Sequence, residues 1–228
     1  MKIKVMKHKV EFEIDFKRHT FPGKFIVFEG IDGSGKTTQV EKLKEVLVAG
    51  GSKVWLTKNP SNHMIGQFIR NEILSGKEKI PPQAIQYLFN ADRVVQQDEI
   101  VSKLKEGYVV ISDRYFWSSV AYGMADLDNT SDFLLTAYSI LSFYHQFILP
   151  DLTLFLKVDP MEAMSRINKE KQNKEIYEEE TIINNVSNIY GNIIERFPSE
   201  LTVIDANRSI DQVNEEISTK VKELLKTA

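Results

Sequence analysis

Fourteen residues, Phe25-Ile-Val-Phe-Glu-Gly30-Ile-Asp32-Gly33-Ser34-Gly35-Lys36-Thr37-Thr38, constrain this chain more than any other stretch. Gly30, Gly35, Lys36 and Thr37 have the spacing G-x-x-x-x-G-K-[ST] of a phosphate-binding loop. Glycines let the backbone curl so that successive N–H groups point inward at phosphate oxygens. A lysine neutralises the β/γ-phosphates and a threonine hydroxyl serves Mg²⁺. The flanks agree. Phe25–Phe28 is a short apolar run that reads as a buried parallel strand. After the loop, Val40, Leu43 and Leu47 recur at helical spacing until Gly50-Gly51 supplies a stop. Strand, glycine loop and helix together predict a nucleoside-triphosphate site built from Gly30, Ile31, Asp32, Gly33, Ser34, Gly35, Lys36, Thr37 and Thr38.

From Lys24 onward strands and helices alternate, the pattern of a parallel sheet flanked by helices. Strands are expected near Phe25–Glu29, Lys53–Leu56, Val109–Ser112, Leu152–Val158 and Leu201–Ile204. Pro81-Pro82 opens a long helix running to about Glu106. Asp159-Pro160-Met161-Glu162 is a capping signature with proline at the first helical position. Ser209-Ile-Asp-Gln212 is a capping box that starts the last helix, whose apolar stripe is Ile210, Val213, Ile217, Val221, Leu224 and Leu225. The fold class is therefore α/β, a three-layer P-loop NTPase sandwich with a five-stranded parallel sheet. At 228 residues the chain is long enough for one such domain, assigned to 24–228, and short for two.

Residues 1–23 stand apart as an N-terminal β extension. Val10, Phe12, Ile14 and Phe16 alternate with charged residues, as do Ile3 and Val5, and a hairpin turning near Lys7–Lys9 is the expectation. The polar segment Asn168–Glu180 mixes Lys169, Lys171 and Lys174 with five glutamates, and reads as a solvated loop or a lid at about 168–180.

Composition excludes several classes. No apolar run approaches the roughly 20 residues that cross a bilayer, and the Lys/Glu-rich start has no signal-peptide core. The chain has no cysteine, which removes disulfides, thiolate metal sites and a cysteine nucleophile, and fits a cytoplasmic protein. A formal charge of −3 gives no general pull toward nucleic acid or acidic membranes. The 4 histidines show no ligand spacing, and no N-K-x-D motif reads guanine.

A second phosphate-binding constellation lies just past the third strand. Asp113-Arg114-Tyr115 places an acid at the carboxyl end of an apolar strand, facing the crevice where such folds bind ligands. Asp113 is a candidate Mg²⁺ ligand with Thr37, and Arg114 offers a bidentate fork for a phosphate. Arg70 sits on a predicted helix. Phe89 and Arg93 are four apart and share a helical face, and an aromatic plate beside a guanidinium suits a nucleobase. A triphosphate site plus several arginines and an aromatic elsewhere point to a second, phosphorylated substrate, and hence to a phosphotransferase rather than a simple ATPase.

In these motifs the chain resembles the thymidylate kinases, a family of P-loop nucleoside-monophosphate kinases. The stretches that carry the resemblance are Phe28-Glu-Gly-Ile-Asp-Gly-Ser-Gly-Lys-Thr-Thr-Gln39, Leu88-Phe-Asn-Ala-Asp-Arg93, Asp113-Arg-Tyr-Phe-Trp-Ser-Ser-Val-Ala-Tyr122 and Pro150-Asp-Leu-Thr-Leu-Phe-Leu156. The resemblance implies transfer of the ATP γ-phosphoryl group to dTMP with Mg²⁺, giving dTDP and ADP. It implies catalytic roles for Lys36, Asp32, Arg114 and Arg166, and a dTMP pocket of Asp32, Arg70, Phe89, Arg93, Arg114, Ser118 and Tyr122. It also implies a homodimer.

Three departures from the family pattern matter. Lys58-Asn59-Pro60 stands where the family often carries Arg-Glu-Pro, so a neutral amide replaces an acid near the acceptor. Gly33 occupies the loop position where some members carry an essential arginine, which points to the type with that arginine in the lid. Yet Ile176 stands where the lid arginine is expected, leaving Arg166 or Lys169, Lys171 and Lys174 to supply the charge. Two alternatives stay open: a kinase for another deoxynucleoside monophosphate, and a nucleotide-binding protein that has lost turnover.

Overall fold

The apolar runs form the centre of the sheet. Phe25, Ile26, Val27 and Phe28 are wholly buried, as are Val110, Ile111, Leu154 and Leu156, so these strands are covered on both faces. That is the condition under which parallel strands are stable, and it explains why they are continuous apolar runs rather than alternating ones. The structure, a computed structural model, describes residues 17–125, 140–142, 147–170 and 175–226. Its strands are β1 (Lys24–Glu29), β2 (Val54–Lys58), β3 (Val109–Asp113), β4 (Leu152–Lys157) and β5 (Thr202–Asp205). They form one parallel sheet in the order β2-β3-β1-β4-β5. The expected strands are all present, with β2 and β5 shifted toward their carboxyl ends.

The helices are α1 (Lys36–Ala49), α2 (Met64–Phe68), α3 (Pro82–Lys105), α4 (Phe116–Ala125), α5 (Pro160–Glu170), α6 (Glu180–Arg196) and α7 (Ile210–Lys226). After α2 the backbone widens into a π-helical turn over Ile69–Leu74. α1 packs on α7, while α4 packs on both α3 and α6. Both capping predictions hold. The Asp159 carboxylate accepts from the Met161 amide at 2.8 Å. Ser209 and Gln212 form the reciprocal box, Gln212 N donating to Ser209 Oγ at 3.3 Å and Ser209 N to Gln212 Oε1 at 3.2 Å.

The chain winds from β1 outward to β2, back to β3, and then crosses to the opposite side for β4 and β5. Such a sheet opens a crevice at the carboxyl ends of the strands beside β1. Hydrogen bonds past the strand ends tie the rim loops together: Arg114 N to Phe28 O at 2.8 Å, Asn59 N to Asp113 O at 3.0 Å and Ala206 N to Lys157 O at 2.8 Å.

Of the expected N-terminal extension, residues 1–23, the hairpin positions as far as residue 16 lie outside the described residues. The three residues after it dock on the sheet's far end. Lys17 forms a parallel bridge with Ile148, Arg18 pairs with Glu200 at 3.3 Å, and His19 with Asp151 at 3.0 Å.

Candidate functional site

A cleft of about 740 Å³ lies over the carboxyl ends of the strands. The β1–α1 loop forms one wall. Gly33 and Gly35 adopt left-handed backbone, φ 76° and 87°, and Ser34 N closes a turn on Ile31 O at 3.2 Å. A Cβ on Gly33 would lie 2.4 Å from the Ala163 carbonyl oxygen of α5. An arginine therefore has no room at this position unless α5 moves, which is a physical reason for the glycine. Asp32 through Thr38 line the cleft. Gly30 and Ile31 instead turn their carbonyls toward Lys36, whose ammonium donates to them at 3.1 and 2.8 Å.

Burial makes the Lys36 charge costly, and repulsion from Arg114 adds to it. Attraction from Asp32, Asp113 and Glu29 opposes both, and the net result is a pKa lowered to about 8. Next to it, the Thr37 hydroxyl donates to Asp113 Oδ2 at 2.9 Å, joining the two residues expected to serve a cation. A hydroxyl and one carboxylate are few ligands, and that suits Mg²⁺, which keeps several waters and takes phosphate oxygens for the rest. Among the described residues no group of three or more His, Asp or Glu side chains could enclose a metal by itself.

Arg114 is the hub. Its backbone is left-handed, φ 74°, an uncommon state for a side-chain-bearing residue and one that swings the guanidinium back over β1. Nη1 donates to Gly30 O at 3.0 Å and Ser118 Oγ at 3.1 Å. Nη2 donates to Asp32 Oδ1 at 2.5 Å and Tyr122 Oη at 3.0 Å. Tyr122 in turn donates to Asp32 Oδ2 at 2.8 Å. Burial alone would raise the Asp32 carboxyl, but the Arg114 and Lys36 charges and these hydrogen bonds hold it below the usual carboxylate range.

Beneath this layer lies Glu29, wholly buried. Its two oxygens accept from Tyr115 N at 3.0 Å, Ser118 N at 3.3 Å, Ser118 Oγ at 2.5 Å and Tyr190 Oη at 2.8 Å. Burial raises its pKa despite these donors. Ser118, expected at the acceptor, lines the cleft and is also held there by Glu29 and Arg114.

The opposite wall is α3. Arg93 is almost wholly buried, donates through Nη1 to Ser119 Oγ at 2.6 Å, and lies over the Phe89 ring at 5.5 Å. Arg70, on the π-helical turn, donates to Pro60 O, to Ser61 O at 2.6 Å and to Asn62 Oδ1 at 3.2 Å, so it is fixed to the turn after β2. Asp92 anchors the same turn by accepting from Ser61 N at 2.7 Å and Ser61 Oγ at 2.5 Å. Asn59, at the departure from the family pattern, is buried and donates to Gln96 Oε1 at 3.0 Å. It is part of the link between the β2 rim and α3.

Arg166 lines the donor end of the cleft with Ala206, Ile210 and Val213. Glu162 holds its Nε at 2.8 Å and the Ala206 carbonyl its Nη2 at 3.1 Å. Its Nη1 is 3.9 Å from where a Cβ on Gly35 would stand, which puts it beside the phosphate loop.

The structure describes residues 168–170 and 175–180 of the segment 168–180. Its first residues finish α5, Lys171 and Lys174 lie outside the described residues, and Tyr177 and Glu178 are buried against the cleft. Tyr177 meets the Tyr122 ring edge-on at 5.1 Å. Ile176 packs against the core, its amide bonded to Leu74 O at 3.2 Å, so the position where an arginine was expected is an apolar anchor. Sequence reasoning also missed Glu29, Ser119 and Tyr190. The first two sit inside the quoted motifs and could have been picked out there; Tyr190 carried no local signal.

The thymidylate kinase family model matches residues 28–217. The chain belongs to the thymidylate kinase family. It is 36% identical to a probable thymidylate kinase of Thermococcus onnurineus over 89% of this chain and 99% of that one. It is 34% identical to the thymidylate kinase of Bifidobacterium longum subsp. infantis over 90% and 88%. Among solved structures, the thymidylate kinase of Candida albicans, described as having broad substrate specificity, superposes with a TM-score of 0.76 at 27% identity, covering 90% of this chain and 93% of that one. The family match includes both walls of the cleft, from the phosphate loop to the first turns of α7.

Proposed function

We propose that this chain transfers the γ-phosphoryl group of ATP to dTMP, giving dTDP and ADP. The observation that carries the reading is the two-walled cleft. A triphosphate loop with Lys36 faces an aromatic–guanidinium pair, Phe89 and Arg93, and the Arg114–Asp32–Tyr122 triad lies between them. ATP binds the loop from Asp32 to Thr38, with its base toward Ala206, Ile210 and Val213. The thymine ring stacks on Phe89 and takes a hydrogen bond from Arg93. Arg70 and Arg114 receive the acceptor phosphate, and Asp32 and Tyr122 face the sugar.

The acceptor phosphate is itself the nucleophile, so no strong general base is needed. Catalysis is then positioning plus neutralisation of transferring charge. Lys36, Arg114 and Arg166 are the cations available along that line. Thr37 and Asp113 would hold Mg²⁺, which supplies charge neutralisation at the phosphates when bound.

The protein works as a homodimer in the cytoplasm. α3 leaves Tyr87, Val94 and Val95 exposed, an apolar face suited to a second copy, and a cysteine-free chain suits a reducing compartment. No helix among the described residues is long and apolar enough to cross a membrane.

The test is coupled ADP release with ATP·Mg²⁺ against dTMP, dUMP, dGMP, dCMP, dAMP and UMP. A clear preference for dTMP is expected. Preference for another monophosphate would move the substrate, with Asn59 the first residue to exchange, and no turnover with any of them would leave a binding protein.

A further inference from the structure

Gln86 is the anomaly of the acceptor wall. It lies on α3 three residues before Phe89 and seven before Arg93, on the same helical face, and it lines the same cleft. Its side chain is more than nine-tenths buried, and neither Oε1 nor Nε2 has a hydrogen-bond partner among the described residues. A buried amide with both ends unmade is costly, and native structures keep few of them. Opposite it, on α4, stands Gly123. A Cβ there would come within 3.2 Å of Gln86 Cγ and 2.9 Å of Ile140 Cδ1. The missing side chain is what leaves room for Gln86.

The chemistry of a pyrimidine edge says what such an amide can do. Arg93 only donates, and Ser119 Oγ already accepts from it. Arg93 can therefore take a base carbonyl but not the N3–H group of thymine. An amide supplies the missing acceptor together with a donor for the adjacent carbonyl, in one plane. Its broad terminal torsion lets the amide plane rotate to match the plane of a base in the cleft that Gln86 lines.

Resting on the dTMP reading above, we infer that Gln86 is a specificity-determining residue that pairs with the thymine imide edge, Oε1 accepting N3–H and Nε2 donating to the neighbouring carbonyl. Cytosine could meet a flipped amide, but its exocyclic amino group would then face the donor-only Arg93. Gln86 and Arg93 together read thymine; neither does so alone. The 5-methyl group touches neither residue in this scheme, so Gln86 does not separate dTMP from dUMP.

The experiment compares wild type with Gln86→Met, close in volume, and Gln86→Leu as a second apolar variant. dTMP and its N3-methyl derivative serve as acceptors. Wild type should discriminate strongly against the N3-methyl compound. In the variants the KM for dTMP should rise roughly tenfold or more, as the loss of two hydrogen bonds implies, with kcat and the KM for ATP little changed. The discrimination against the N3-methyl compound should shrink by a similar factor. The variants should also melt at or above the wild-type temperature, since an unsatisfied buried amide has been removed. Unchanged KM for dTMP and unchanged discrimination in a folded variant overturn the inference. Wild type that fails on dTMP itself overturns the substrate reading instead, a separate result, and takes the inference with it.

Discussion

Arg114 and Asp32 meet at 2.5 Å over the ends of β3 and β1, and the second oxygen of Asp32 is taken by Tyr122, which Arg114 also holds. Both acceptor-side groups are therefore set by one cation whose own backbone is held in a left-handed turn. Arg114→Ala removes the counter-charge of a largely buried carboxylate. It should lower kcat/KM for dTMP by about 10²–10³-fold and cost ~1–3 kcal/mol of stability. Arg114→Lys keeps the charge without the fork and should fall between the two. Steady-state kinetics and thermal melting check both. If Arg114→Ala leaves kcat/KM intact, the acceptor phosphate binds elsewhere.

Lys36 carries a pH signature of opposite sign in stability and in binding. Its pKa is lowered from 10.5 to about 8, chiefly by burial and then by Arg114. Between those two values the unfolded chain holds a proton that the folded chain has released, so stability from this group rises with pH across that window. Lys36→Met should therefore melt higher than wild type at pH 7, with the gap closing toward pH 10. ATP capture needs the charged form, so kcat/KM for ATP should fall above about pH 8, because this ratio reports the free enzyme. The variant itself should lose turnover by orders of magnitude at every pH. Melting and kinetics at pH 7, 8.5 and 10 separate the two effects.

Glu29 braces the floor of the cleft. Four donors converge on a wholly buried carboxyl, and Glu29→Ala would leave them unmet at a cost of about 2–4 kcal/mol. Tyr190→Phe removes one donor and should cost about 1 kcal/mol. Burial raises the Glu29 pKa above 4.5. The folded state then keeps a proton that the unfolded state gives up, and the stability from this group is full below 4.5 and lost as pH rises through the raised value. The destabilisation by Glu29→Ala should thus be larger at pH 5 than at pH 7.5 in denaturant melts. An equal loss at both would place the shift elsewhere.

The phosphate loop was legible because its chemistry is local: Gly30, Gly35, Lys36 and Thr37 act through backbone curvature and adjacency, and spacing alone encodes them. The sheet was legible because strands buried on both faces must be apolar throughout. The braces were not. Tyr190 reaches Glu29 across 161 positions, and nothing in a single sequence marks that meeting. The segment at 175–178 was less legible: its glutamates fit a solvated loop or a lid equally well, and composition does not weigh the apolar contacts of Ile176 and Tyr177, which pack it against the cleft. Gly33 points by family pattern to a lid arginine; the Ala163 carbonyl pressed against it gives a steric reason for the glycine, while Ile176, at the expected lid position, packs against the core.

Arg166 is the first candidate to supply that charge instead. It stands beside the phosphate loop, fixed by Glu162 and the Ala206 carbonyl rather than free to swing in with a lid. A guanidinium held in place before substrate arrives spends no ordering entropy on closure and acts on transferring charge. Arg166→Ala should therefore lower kcat by about 10²-fold or more while leaving the KM for dTMP within a few fold. Arg166→Lys should recover only part of the loss, since an ammonium cannot keep both the Glu162 and the Ala206 contacts in one plane. Glu162→Gln should produce a smaller drop in kcat by loosening the guanidinium. Single-turnover measurements isolate the phosphoryl-transfer step from product release. An unchanged rate for Arg166→Ala would hand the role to the lysines at 169, 171 and 174, and a Lys169→Ala, Lys171→Ala, Lys174→Ala triple variant would then be the one to lose turnover.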